Sequence, residues 1–312
     1  MLISYIDTTD LKSSPVSSTS GSKMLDMQTP LHILIVAKPR QREAARLAEG
    51  IALWLEERGC TTHIVEAGGD ASSSEALFPA DLVVVLGGDG TMLEVARSFV
   101  AHPVPLTGIN FGKVGFLAEL SIAEWKKGLE TFLTGKADLL RRMALHWRVL
   151  RDGREAAIGM AVNDVVISRG ALSRVITLDI SVDEQKMCRV RADGLIISSP
   201  LGVSGYAVSA GGPLIHPELD VLTVTPICPF LCNFPPVVLP YPMTVRAAIQ
   251  PEAMETYLTI DGQQGVPLEG GDCIEVQGVP GGVHFARLRP NDYFQRLRTR
   301  GFVQEYSGNN KG

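Results

Sequence analysis

The chain has 312 residues, with 29 Lys and Arg against 34 Asp and Glu, a formal charge of −5. Apolar residues make up 45% and charged residues 20%, which excludes general disorder, and the acidic balance excludes an electrostatic footprint for nucleic acid or anionic lipid. No apolar run reaches the roughly 18–20 residues of a membrane helix, and five scattered cysteines without a secretory leader point to a reducing, cytoplasmic setting.

Residues 1–29, rich in Ser and Thr, read as a disordered tail, and Met24 or Met27 is a candidate true start. From Leu31, LHILIVAK reads as a buried strand. Pro39 opens a helical segment in which Ala44, Leu47, Ala48, Ile51 and Leu55 share one face, and Gly59 is placed to end it. THIVEA is a second strand, a Gly/Ser-rich loop follows, and DLVVVL is apolar on both faces, as the interior of a parallel sheet requires. That strand runs into Gly87-Gly88-Asp89-Gly90-Thr91, followed by a helix carrying Met92, Leu93, Val95 and Ala96. PLTGIN leads to a second glycine-bearing turn, FGKVGFL, and Ser121 is placed to cap a helix through Phe132. This alternation predicts a doubly wound, Rossmann-like α/β domain over 30–140, with ligands at the carboxyl ends of its strands, where both turns lie.

Near Arg141 the pattern changes. Short β-like runs are punctuated by Gly, Pro and Asp-Gly turns, Asp152-Gly153 among them. A β-rich, sandwich-like domain is expected over 141–280. The segment 281–312, with a short amphipathic helix, is expected to pack back onto the first domain and to end in a disordered tail. Cys228 and Cys232 are four apart, but no second Cys or His pair lies at zinc spacing, so no structural zinc is expected.

The GGDGT turn carries the most chemistry. Glycines let backbone approach a polyphosphate closely and adopt positive φ. The following helix presents free N–H groups and partial positive charge to phosphate oxygens. Asp89 is the unusual member. A carboxylate beside a phosphate site is repelled unless it holds a metal ion or takes a proton from an attacking hydroxyl, which points to Mg²⁺-dependent phosphoryl transfer. A tight strand–helix turn with Asp89 as a cap is the alternative.

GGDGT followed by an apolar helix resembles the shared signature of the NAD kinase, diacylglycerol/sphingosine kinase and phosphofructokinase superfamily. GINFGKVGFLAEL at 108–120, AVNDVV at 161–166, RADGLIISSPLGVSGYAVSAGGPL at 191–214, TPICPF at 225–230 and DGQ at 261–263 resemble, in order, motifs of the NAD kinase family. The resemblance covers Leu31 to Arg298. It implies ATP-dependent phosphorylation of the adenosine ribose 2′-hydroxyl of NAD, giving NADP, by a homodimer or homotetramer joined through its β-rich half.

Carried over by position, Asp89 is the general base and a Mg²⁺ partner, and Gly87, Gly88, Gly90 and Thr91 line the phosphates. Asn163 and Asp164 hold the adenosine part of NAD; the family more often has Glu at the second position. Arg191, Asp193, Ser204, Tyr206, Ser209 and Asp261 match positions lining the dinucleotide pocket, Arg191 as a phosphate partner. On their own, Asp193-Gly194 and Asp261-Gly262 also read as hairpin turns, and Tyr206 as a core residue with a satisfied hydroxyl. The chain departs from the family's Thr-Pro-Thr-Gly-Ser-Thr run at Leu201 and Val203, and from its later His and Arg at Phe230 and Pro235. A lipid kinase with the same core and an NAD(P)-binding module without turnover are the competing readings.

Overall fold

The computed structural model describes residues 30–68, 79–100, 102–112, 115–171, 174–253, 255–290 and 293–303. The expected tails at 1–29 and beyond 303, and most of the Gly/Ser-rich loop, lie outside the described residues. The first half alternates strand and helix: β1 (His32–Ala37), α1 (Arg42–Glu56), β2 (Thr61–Glu66), β3 (Leu82–Leu86), α2 (Asp89–Ser98), β4 (Leu106–Asn110), β5 (Leu120–Ser121) and α3 (Trp125–Leu133). β2, β1, β3 and β4 are adjacent and parallel in that order, and β3 is buried at every residue, which is why its sequence is apolar on both faces. α1 buries Ala44, Ala48, Ile51, Ala52 and Leu55 and closes in a turn where Gly59 takes φ +80°, a conformation that favours glycine. Ser121 does not cap α3. It ends β5, and its hydroxyl donates to Glu124, which occupies the cap position itself.

The second half is almost all strand: β6 (Asp138–Arg151), β7 (Arg154–Ala161), β8 (Asp164–Arg169), β9 (Ile176–Val182), β10 (Gln185–Ala192), β11 (Gly194–Ser198), the short helix α4 (Tyr206–Ser209), β12 (Val221–Ile227), β13 (Val237–Pro240), β14 (Thr244–Ile249), β15 (Thr256–Ile260), β16 (Gln264–Leu268) and β17 (Cys273–Arg287). The helix α5 (Tyr293–Thr299) follows. Asp152 and Gly153 both take positive φ in the turn between β6 and β7, as a two-residue hairpin with right-handed strand twist requires. β13-β12-β11-β8-β15-β16 form one sheet. Its inner face packs against β6, β7, β9, β10, β14 and β17 through a core of aliphatic side chains, including Leu145, Ile167, Leu178, Leu195, Val224, Leu258 and Ile274. This is the sandwich that the turn-punctuated sequence predicts.

The two halves share one sheet. β17 pairs with β14 and β6 in the sandwich, then continues past residue 280 to meet β4 at Phe285–Leu106. Val283 and Phe285 enter the hydrophobic cluster under α2, and Ala286 and Leu288 enter the cluster under α1. Secondary structure therefore runs across the boundaries at 140 and 280 suggested by composition.

Candidate active site

The glycine-bearing turns do lie at the carboxyl ends of β3 and β4. Gly87 N–H donates to Ile109 O at 3.0 Å, which fixes one turn against the other strand. None of Gly87, Gly88 or Gly90 takes a positive φ, contrary to expectation. Glycine is needed at 87 for a different reason: a Cβ there would overlap the Thr91 side chain. Gly88 is the cap residue of α2 and Asp89 its first helical residue, so the carboxylate does not cap its own helix.

Instead Asp89 reaches across to the second turn. Its Oδ2 accepts the N–H of Phe116 at 2.9 Å, and its Oδ1 accepts those of Leu117 and Ala118 at 3.1 Å each. Three successive amides thus converge on one carboxylate, a backbone nest filled by a side chain. Gly115 has to lack a Cβ, because one would overlap the Asp89 carboxylate. The far side of this turn is braced by the C-terminal segment. Arg296 donates to Phe116 O at 3.1 Å and to Glu119 at 2.8 Å, Arg289 donates to Glu119 O at 2.7 Å, and the Phe302 ring lies 5.8 Å from that of Phe116.

A second nest is joined to α2 through Arg97. Asp261 sits at the tip of the β15–β16 hairpin with φ +51°. Its Oδ1 accepts from the N–H groups of Val162, Asn163 and Asp164 at 3.0, 2.7 and 3.2 Å, and its Oδ2 from Arg97 at 2.7 Å. The Asp261 side chain has no exposed surface. It is a hairpin-turn residue, one of the readings its sequence allowed, and its carboxylate supports the 162–164 backbone.

Among the described residues the Asn163 Oδ1 is buried without a hydrogen-bond partner, which in a native structure calls for an explanation such as a ligand. Burial, and secondarily the nearby Asp261 carboxylate, push the Asp164 carboxyl up to about 7. The 199–204 turn abuts this pair. Ser199 N–H donates to Asn163 O at 2.9 Å, the Ser199 hydroxyl donates to Val162 O at 2.6 Å, and a Cβ on Gly202 would overlap the Asn163 carbonyl.

Ser204 is half-buried at the end of this turn, while Tyr206 and Ser209 on α4 are exposed, so Tyr206 is not a core residue. Leu201 and Val203 meet apolar neighbours. Leu201 packs on the cluster under α2 and Val203 is 1% exposed, and both line a cavity of about 70 Å³ whose wall mixes Phe116, Leu140 and Phe285 with Glu119, Arg142 and Arg296.

Arg191 and Asp193 are not brought to this cluster within one chain. Asp164 lies opposite Ser198, at the other end of β11, so Asp193 is about 16 Å away along a strand rising roughly 3.3 Å per residue. There Asp193 pairs with Arg169 at 2.6 Å, and the Arg191 guanidinium lies 5.3 Å from the centroid of the Phe230 ring. Sequence reasoning did not single out Arg97, Gln263, Gly115 or Arg296. Gly115 and Gln263 lay inside quoted motifs; nothing local marked the two arginines.

The ATP-NAD kinase N-terminal domain family matches residues 70–137, and the ATP-NAD kinase C-terminal domain family matches residues 162–288. An NAD kinase of Nitratidesulfovibrio vulgaris, strain Hildenborough, is 51% identical over 276 residues, covering 88% of this chain and 92% of that protein. One from Oleidesulfovibrio alaskensis is 44% identical over 281 residues, covering 88% and 94%. Among solved structures, yeast NADH kinase complexed with NADH aligns with a TM-score of 0.76 at 25% identity, covering 89% of this chain and 90% of that one. An Archaeoglobus fulgidus NAD kinase in complex with ATP shares the fold, with a TM-score of 0.67 at 23% identity over 86% of this chain and 98% of that one. With relatives this similar over nearly their whole length, the chain belongs to the NAD kinase family.

Proposed function

We propose that this NAD kinase moves the γ-phosphate of ATP onto the 2′-hydroxyl of the adenosine ribose of NAD, with the donor over the GGDGT turn and the acceptor in the 162–164 cradle. Asp89 takes the proton of the attacking hydroxyl. Gly88, Gly90 and Thr91, at the start of α2, hold the triphosphate through backbone N–H groups and the helix dipole, while Gly87, whose own N–H is taken by Ile109 O, lines the turn. Asn163 meets the adenine edge, and Asp164 accepts from the ribose hydroxyls. Ser204, Tyr206 and Ser209 line the same side of the pocket.

The observation that supports this reading is the half-buried Asp89 carboxylate. Three of its roughly four lone-pair sites are filled by backbone amides, which fix its orientation and leave one for chemistry. Mg²⁺ is bound in such sites by one or two carboxylates together with substrate phosphates and water. Among the described residues no three His, Cys, Asp or Glu side chains form a cage. Asp89 is then the carboxylate that would meet an ion arriving on ATP, where the metal would spread the charge of the transferring phosphoryl group.

Arg191 and Asp193, a strand length from Asp164, would serve a dinucleotide site completed by a second copy. The active form is accordingly read as a homodimer or homotetramer joined through the β-rich half, where Phe230 and Leu231 are exposed. No helix among the described residues is long and apolar enough to cross a membrane, and all five cysteines are free thiols, which supports a cytoplasmic setting.

An assay of purified protein with Mg²⁺ and a matrix of donors (ATP, other nucleotides, inorganic polyphosphate) against NAD and NADH tests the reading. NADP formation from ATP and NAD is expected. Dinucleotide binding by calorimetry without any phosphorylated product would overturn it.

A further inference from the structure

The geometry points to Arg97 and Gln263 as positioning residues: together they clasp the donor turn to the acceptor cradle and set the distance across which the phosphoryl group moves. The inference rests on the assignment of those two half-sites above. Arg97 lies in the last turn of α2, the helix whose first turn is the GGDGT segment. Its Nη1 donates to Asp261 at 2.7 Å, and its Nη2 donates to Gln263 Oε1 at 3.1 Å. Gln263 Nε2 donates back to Gly90 O at 2.7 Å. Both ends of one amide are therefore used, the oxygen on the end of α2 and the nitrogen on its beginning. The same hairpin tip carries Asp261, which holds the amides of Val162, Asn163 and Asp164.

Each half-site has its own internal support. The donor turn keeps the Asp89 bonds to the Phe116–Ala118 amides, and the acceptor cradle keeps the Asp261 bonds, whether or not Gln263 is present. What the clasp adds is the fixed spacing between them: Arg97 ties the end of α2 to Asp261, and Gln263 ties its beginning to the same hairpin. In-line transfer requires reacting atoms held about 3–3.5 Å apart, and a misplacement of about 1 Å can cost roughly 10²-fold in rate. Loss of the clasp therefore falls on turnover, while either ligand still binds its own half.

Gln263 is exposed, so its replacement leaves the core intact. Gln263→Ala removes both Gln263 contacts and frees the GGDGT end of α2, leaving the Arg97–Asp261 pair to hold only its far end. Gln263→Glu keeps an acceptor for Arg97 and sets a carboxylate against the Gly90 carbonyl. Three quantities are measured on full-length protein: the kcat of NADP formation, the Kd of NAD without nucleotide, and the Kd of a non-hydrolysable ATP analogue without NAD. A fall in kcat of about tenfold or more is expected in both variants, with each Kd within about twofold of wild type. Unchanged kcat in Gln263→Ala overturns the clasp, as does a loss of turnover matched by an equal loss of binding of one ligand. Recovery of activity in Gln263→Glu overturns the Gly90 contact as its working part. Wild-type protein that binds NAD and makes no NADP overturns the assigned activity, and the clasp with it.

Discussion

Two carboxylates in this molecule do the same thing to the backbone and differ in everything around it. Asp89 gathers the amides of residues 116, 117 and 118; Asp261 gathers those of 162, 163 and 164. Asp261 is sealed from solvent and paired with Arg97, so its charge is spent inside the protein. Asp89 is half-buried at the mouth of the turn, and no ion pair joins it among the described residues. The contrast teaches that the nest itself is scaffolding. The two nests differ in the presence of a cation and in the route to solvent, and the role proposed for Asp89 needs that difference.

Substitutions can break this comparison. Asp89→Asn is expected to lower the kcat of NADP formation by about 10²–10⁴, the usual worth of general-base help, with the circular dichroism spectrum unchanged. Near-wild-type turnover would make the two carboxylates equivalent and remove the assigned base. Asp261→Asn is expected to act on stability: leaving Arg97 without its buried partner costs about 3–5 kcal/mol, read as a lower urea midpoint. Gly115→Ala pushes a methyl into the Asp89 seat. Its expected effect is a loss of roughly 10²-fold in kcat with folding retained, so an active variant would show that the seat is not needed during turnover.

The smallest effect sharpens the acceptor side. The Asp164 carboxyl, raised to about 7, is protonated in much of the free protein at neutral pH. In the proposed site ribose hydroxyls donate to its ionised form, so binding is expected to draw the proton off and affinity for NAD to rise with pH until the free group is already ionised. For a group at about 7 this amounts to roughly a tenfold fall in Kd between pH 6 and pH 8. Asp164→Asn should flatten the profile. A flat wild-type profile would show that the carboxyl does not change protonation on binding. For folding the sign is opposite. Because the folded-state value lies above the ordinary 3.8, the group's contribution is intact below 3.8 and is lost as pH climbs toward 7.

Much of this architecture was legible in one dimension. LVVVL announces a strand buried on both faces, Asp152-Gly153 a tight hairpin, and GGDGT a strand-to-helix turn, because each depends on neighbours within a few residues. The partners of Asp89 are 27 to 29 residues away, Arg97 and Asp261 are 164 apart, and Arg296 and Phe116 are 180 apart. Such contacts leave no period or spacing to read. Motif position therefore groups Asp261 with Asn163 and Asp164 but does not reveal that its carboxylate is turned onto the 162–164 backbone amides. It also groups Arg191 and Asp193 with that pair, although within one chain the length of β11 separates Asp193 from Asp164.

The strand that crosses between the halves bears on how the polypeptide is made. Phe285 and Ala286 complete hydrophobic clusters built mostly from residues before 130, so a layer made earlier waits for a strand made much later. Until then a parallel edge lies open at Leu106, the kind of surface on which nascent chains stick to one another. A fragment ending near residue 137 would emerge from the ribosome as an unfinished layer, and its solubility would depend on receiving the missing strand in trans.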